Sequence, residues 1–481
     1  MSISLEQKLR AYVDAFNAQD EELYAPLIPN SAAADFLLGQ IPLLDCPDET
    51  LERAYYFRWW TLRKHFRETP MGHVITEFLP PVPWAGPYNT IVCPAGHQLR
   101  ETRWLRDADG WVTEYIDFWL GGHGQEMAYS TWLATAVWDY CQGRGIAPRP
   151  AWVDALAALY RRWEGKALGA CGLFWSNDGR DGMEYSISGP GYRPTLNSYL
   201  CSDAAAIAKM AQALGQEALA REYAEKSAAL KERINQLLWA GDFYKTIPAP
   251  INNSEAWTSR PAVASKHDVR ELAGYLPWAY GVAVPGRAEA FRQLLTPEGF
   301  AAPFGPTTAE RRHPRFMEHH DHECLWNGPS WPFATSQLLT ACAKLLRSGE
   351  AQSAFTWTDY RRLLGQYAAA HTIRRPDGTV QSWIDEDLDP FDGHWIARDE
   401  LAARGGPGQP YERGKDYNHS TFCDLVLSGL LGIAPDGRGG LTADPHLPPA
   451  WDNCRVEHLW YGGRFWCFQY DRTGWKMEPE N

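Results

Sequence analysis

The amino-acid sequence predicts an all-α fold, an (α/α)6 toroid with small β excursions near 74–93 and a C-terminal β-hairpin. Three observations predict it. Ten segments carry apolar residues at helical spacing. There is no βαβ alternation and no glycine-rich phosphate loop, which excludes Rossmann and TIM-barrel architectures. A helical solenoid needs a repeat of 20–50 residues, and the chain has none. A closed ring of helical hairpins remains, whose connecting loops gather around a pocket at one mouth.

The predicted helices run Leu51–His65, Glu126–Cys141, Trp152–Trp163, Asn197–Leu214, Glu217–Leu238, His267–Leu276, Gly286–Leu295, Ser330–Leu346, Thr356–Thr372 and Ser420–Leu431. Strand-like pieces are Val74–Phe78 and Thr90–Cys93, flanking the Pro/Trp-rich stretch PPVPWAGPYN. Arg455–Tyr461 and Arg464–Asp471, joined by Gly462-Gly463, form the hairpin. Residues 1–440 are therefore expected as the barrel, with a β-containing insertion at about 72–112, and 441–481 as an extension packed on it. The long polar loop 376–416 is a place where function collects.

Composition narrows the function. The 481 residues include 46 Lys plus Arg against 59 Asp plus Glu, a net charge of −13 that disfavours nucleic acid and anionic membranes as partners. No apolar run reaches the ~18 residues of a membrane span. The N-terminus has no apolar signal core, so a cytoplasmic location is expected. Ten cysteines show no C-x-x-C spacing and are expected as reduced, buried thiols. The 23 Trp, 22 Tyr and 18 Phe suit an aromatic-lined pocket for a sugar.

Three constellations carry candidate chemistry. In Trp175–Asn197, Asp178, Asp181 and Glu184 sit between glycines beside Trp175, Arg180, Tyr185, Tyr192 and Arg193. In Met317–Trp331, His319, His320, Asp321, His322 and Glu323 are possible metal ligands, but consecutive positions point apart and no metal-site spacing is present. Trp326, Asn327 and Trp331 read better as a pocket edge. The third constellation joins Trp383, Asp385, Glu386 and Asp387 to Tyr411, Glu412, Arg413, Lys415 and His419. Glycosidic hydrolysis needs one protonated and one ionised carboxyl across a sugar. The first and third constellations can supply one each.

At these residues the chain resembles the mannosylglycerate/glucosylglycerate hydrolase-like glycoside hydrolases, relatives of processing α-glucosidase I and trehalase. Three motifs between about 170 and 435 carry the resemblance: Gly179-Arg-Asp-Gly-Met-Glu184, Trp326-Asn-Gly-Pro-Ser-Trp331 and Glu386-Asp-Leu-Asp-Pro-Phe-Asp-Gly393. The resemblance implies an inverting exo-glycosidase of (α/α)6 fold, acting on a small α-linked glucoside, mannoside, glycosylglycerate or disaccharide. It implies Asp181 as general acid and Glu386 as general base, with Glu412 the alternative base. An inverting pair stands about 6.5–9.5 Å apart. Trp175, Arg180, Tyr185, Arg193, Trp326, Asn327, Trp331, Trp383, Tyr411 and His419 are the expected substrate-binding residues. Gly182-Met183 and Asp392 depart from the family's pattern.

Two other classes remain open at this stage. A toroidal sugar epimerase or uronate-processing enzyme would use the His319–His322 cluster, and a non-catalytic carbohydrate-binding protein would need no carboxylate pair. A glycerate aglycone would call for a cation such as Arg103, Arg180, Arg193 or Lys415. Nothing in the sequence indicates a cofactor, and the oligomeric state is not readable from it.

Overall fold

Six segments, each largely buried, form an inner ring, and in a computed structural model their order along the chain alternates with an outer set. The structure describes residues 4–107, 109–249, 267–351, 353–375, 377–405 and 412–480. The helices are α1 Leu5–Asn17, α2 Ala33–Gln40, α3 Glu49–Leu62, α4 Ala95–Thr102, α5 Trp111–Leu120, α6 Leu133–Arg144 and α7 Pro150–Ala167. They continue with α8 Pro194–Ala213, α9 Glu217–Arg233, α10 Leu276–Ala279, α11 Pro332–Arg347, α12 Trp357–Ala369 and α13 Ile396–Arg404. The inner ring runs α4, α6, α8, α10, α11 and the turn Leu425–Leu430, each packed on the next. Alternating with these along the chain are α3, α5, α7, α9, the helical segment Ala288–Leu294 and α12.

Glu101 of α4 closes the ring. Its Oε1 accepts the backbone N–H groups of Phe422 (3.0 Å) and Cys423 (2.8 Å), and its Oε2 accepts that of Asp424 (2.9 Å). These are donors that the start of a helix leaves without intrahelical partners, and a carboxylate there also meets the positive end of the helix dipole. Arg103 and the Trp104 indole donate to Asp424 on the same seam. First and last inner segments are thus joined by polar contacts over more than 300 residues of chain.

The fold class and most helix positions agree with the sequence reading. The segment 72–112, expected as a β-containing insertion, keeps the strand Gly72–Ile75 and also supplies α4, part of the ring itself. The reason is physical. Every residue of α4 is buried, His97, Gln98, Arg100 and Glu101 among them, and Leu99 is its one large apolar side chain, so the segment does not read as a core helix by composition. Thr90–Cys93 is irregular, and the strands lie earlier, at Phe66–Thr69 paired with Gly72–Ile75. Residues 126–132 precede α6 without helix, and the predicted helix from His267 begins only at Leu272.

The C-terminal hairpin has its expected register, Tyr461 opposite Arg464, across Gly462 (φ +59°) and Gly463 (φ +83°). Two successive positive φ values are what a tight hairpin turn requires. A third strand, Gly474–Pro479, and the N-terminal Leu43–Asp45 extend the hairpin to four strands. Among the described residues no helix is long and apolar enough to cross a membrane.

Candidate active site

A cavity of about 240 Å³ opens at one mouth of the ring. Its wall comes from loops that lead into inner segments: Glu77–Cys93 before α4, Tyr129 before α6, Gly182 and Glu184 before α8, His322–Trp331 before α11, and Arg413–His419 before the last. Phe333 opens α11, and Glu386 comes from the long loop. Residues far apart in sequence therefore meet because the loops before five of the six inner segments gather at the same end.

Glu386 is the most tightly held carboxylate on the wall, its side chain 2% exposed. Arg413 donates Nε to Oε1 at 2.9 Å and a second N–H to the same oxygen. The same guanidinium reaches Glu323 Oε1 at 2.8 Å and lies over the Trp84 ring. Burial works against the Arg413 charge, but Glu386 and its neighbours raise its pKa and keep it a cation. Among the described residues Glu386 Oε2 accepts only the Cys324 thiol, at 2.7 Å, and burial beside Glu386 holds that thiol protonated. The loop has a steric condition: a Cβ on Gly414 would stand 1.9 Å from Asp385 Oδ1. Asp385 in turn accepts the Glu386 N–H at 2.9 Å.

Two more carboxyls face the same space. Burial pushes Glu184 up to about 7, with Glu386, Asp178 and Asp181 adding negative potential. Burial likewise pushes Glu77 up to about 8, against a 2.5 Å hydrogen bond from the Tyr417 hydroxyl that favours its ionised form. Aromatic rings complete the wall. Trp326 and Trp331 stack at 4.4 Å, and His419 stacks on Tyr417 at 3.7 Å. The Trp326 indole N–H and both ring nitrogens of His419 are buried with no partner among the described residues. Burial also lowers the His419 pKa far below its ordinary value, so the ring is neutral. One carboxyl pushed up by burial and a second bound by a guanidinium, beside aromatic walls, is a set that can cleave a glycosidic bond.

The sequence profile of the mannosylglycerate hydrolase MGH1-like glycoside hydrolase domain matches residues 87–420. The chain belongs to that family. A solved structure titled "Sialidase" is similar at 32% identity and a TM-score of 0.87, covering 98% of this chain and 43% of its own. An α-L-rhamnosidase from Streptomyces avermitilis complexed with L-rhamnose shares the fold at 14% identity, TM-score 0.56, covering 91% of this chain and 37% of its own. The GH63 mannosylglycerate hydrolase from Thermus thermophilus, in complex with Tris and D-glycerate, shares it at 13% identity, TM-score 0.52, covering 78% and 98%. The chain thus spans less than half the length of the first two. No curated protein matches it.

This family member places several expected residues away from the cavity. Asp181, the expected acid, is sealed: Arg193 Nε donates to Oδ2 at 2.6 Å, while Ser130 and Ser176 hydroxyls donate to Oδ1 at 2.6 and 2.8 Å. The turn explains it. The N–H groups of Asp181, Gly182 and Met183 bond back to Asn177, Gly179 and Asp178, which turns Asp181 and Met183 inward and leaves Glu184 on the wall. Arg193 also binds Ser186, Ser188 and Gly189, and is spent there. Arg180 lies over Trp163, and Trp175 donates to the Ala249 carbonyl.

Asn327 is off the wall too, its amide pinning the Glu318 carbonyl at 2.7 Å. Trp383 is fully buried and donates to Asp385. Glu412 pairs with Arg398 at 2.8 Å, and Tyr411 falls outside the described residues. Of the histidine cluster only His322 reaches the wall, and Tyr185 stacks on His320 (4.6 Å) and His322 (5.3 Å) at its rim. Trp326, Trp331, Glu386 and His419 line the cavity.

Glu77, Phe78, Trp84, Cys93, Tyr129 and Tyr417 line the cavity without having been expected there. One signal for Trp84 existed, its place in the Pro/Trp-rich stretch. Nothing in the spacing marks Glu77.

Proposed function

We propose that this protein is an inverting exo-glycosidase that removes a terminal sugar from a small α-linked glycoside. Glu184 is the general acid and Glu386 the general base in this reading. The observation that carries it is the contrast on one wall: Glu184 is held off ionisation by burial, while Glu386 is bound by a guanidinium. Arg413 engages Oε1 of Glu386, while Oε2 meets the weak Cys324 thiol donor, so Oε2 is the oxygen that can take a proton from attacking water. Glu184 stands in for Asp181, whose lone pairs are used by Arg193, Ser130 and Ser176. A cavity of about 240 Å³ suits one sugar ring, hence exo action. The family supports α-glycoside chemistry, and Trp326 and Trp331 support a sugar subsite.

The test is proton NMR of the protein with a panel of α- and β-glycosides, glycosylglycerates included. The expected result is a β-sugar released first from an α-glycoside, and no release by the Glu184→Gln protein. An α-sugar released first would remove the inverting assignment. Release at a normal rate by Glu184→Gln would remove Glu184 as the acid.

A further inference from the structure

Charge in the cavity is one-sided. Glu77, Glu184, Glu323 and Glu386 face it, and Arg413 is the one lysine or arginine on its wall among the described residues. That guanidinium is already committed, twice to Glu386 and once to Glu323. None of the cations expected for a carboxylate-bearing aglycone lines the cavity. Arg193 is bound to Asp181, Arg103 to Asp424 and Lys415 to Asp20, and Arg180 lies over Trp163. With Glu77 and Glu184 protonated, the carboxylates of Glu323 and Glu386 face the cavity beside the one guanidinium on its wall, and Arg404, off the wall, pairs with the other oxygen of Glu323 at 3.1 Å. Neutral His419 adds no positive charge. The rim offers aromatic faces: Trp84 is 42% exposed and Tyr185 40%.

We infer that the cavity takes an uncharged sugar, joined to an uncharged aglycone that lies against the Trp84 face, and that it rejects glycosides bearing a carboxylate. The inference rests on the glycosidase reading and narrows its substrate class to neutral sugars. An anion entering this site would lose its hydration shell and find no free cation in return, an uncompensated buried charge. A neutral sugar meets what the wall does offer: aromatic faces and carboxyl oxygens that accept from hydroxyls. Indole faces at the rim suit the apolar face of a second sugar ring.

Matched pairs test this on the full chain by titration calorimetry at pH 7: glucose against glucuronate, galactose against galacturonate, and mannosylglycerol against mannosylglycerate. In each pair that binds, the neutral member should bind at least tenfold more tightly. Glu323→Gln should narrow that ratio severalfold, because it releases part of the Arg413 guanidinium. A carboxylate member that binds as tightly as its neutral partner overturns the inference, and so does a ratio that Glu323→Gln leaves unchanged. A cavity that prefers anions would leave the glycosidase reading standing. One that binds no member of any pair would remove both.

Discussion

Two buried arginine–carboxylate pairs, Asp181 with Arg193 and Glu386 with Arg413, look alike as chemistry and differ in what lies beyond them. In the first, both carboxylate oxygens are saturated, Oδ2 by the guanidinium and Oδ1 by two serine hydroxyls, and the side chain has no exposure. In the second, the guanidinium takes one oxygen, and a thiol, a weak donor, meets the other on the cavity wall. A closed pair fixes a turn. An open pair leaves an oxygen for a reacting molecule. The closed pair still serves the open one, since the turn it fixes carries Glu184 three residues on.

The largest effect should separate the two pairs by activity. Glu386→Gln is expected to lower kcat by about 10³-fold or more, with the melting temperature close to the parent's, as steady-state kinetics and calorimetry will show. Arg193→Ala should do the reverse to stability. It leaves a buried carboxylate without its counter-charge, and a loss of about 3–5 kcal/mol is expected in denaturant unfolding. If Arg193→Ala unfolds no more readily than the parent, the first pair is not closed as described.

A smaller effect probes the loop that carries the open pair. In Gly414→Ala the new methyl meets Asp385, so the loop holding Glu386 and Arg413 must shift. Turnover should fall about 10- to 100-fold by displacement of the reacting groups. A parent-like rate in that variant would show that the loop tolerates the displacement.

The smallest effect is in pH. A general acid works while protonated, so kcat/KM should decline as pH rises through about 7, the value to which burial pushes Glu184. The same shift has a stability consequence. An unfolded Glu titrates near ~4.3, so between there and about 7 the folded protein holds a proton that the unfolded chain has lost. Stability therefore falls as pH rises across that window, and Glu184→Gln should remove about one proton's worth of that slope. Urea titrations of the two proteins at several pH values measure the difference.

How far the sequence reveals this molecule depends on how local each signal is. Trp326, Trp331 and Glu386 stand in motifs whose own residues shape the wall, and they were legible. The closure of Asp181 was not, because it depends on Ser130 and Arg193, which no spacing ties to it. Helix α4 was hidden for another reason: it is short, Leu99 is its one large apolar side chain, and the inner ring buries charged and polar residues that composition places on a surface. Glu77 reaches the cavity only because the chain before α4 passes over the mouth. Its neighbour Trp84 was noticeable as a residue type, but its role needed the ring to be closed.

The claim that the open turn position, not the closed one, carries the acid is tested most directly by comparing Glu184→Gln with Asp181→Asn. Both are assayed on one α-glycoside from the hydrolysis panel, with turnover expressed per folded molecule. The account predicts at least a 10³-fold loss for Glu184→Gln, and a rate within about tenfold of the parent for folded Asp181→Asn. A collapse of activity in folded Asp181→Asn, with Glu184→Gln near the parent rate, would contradict it.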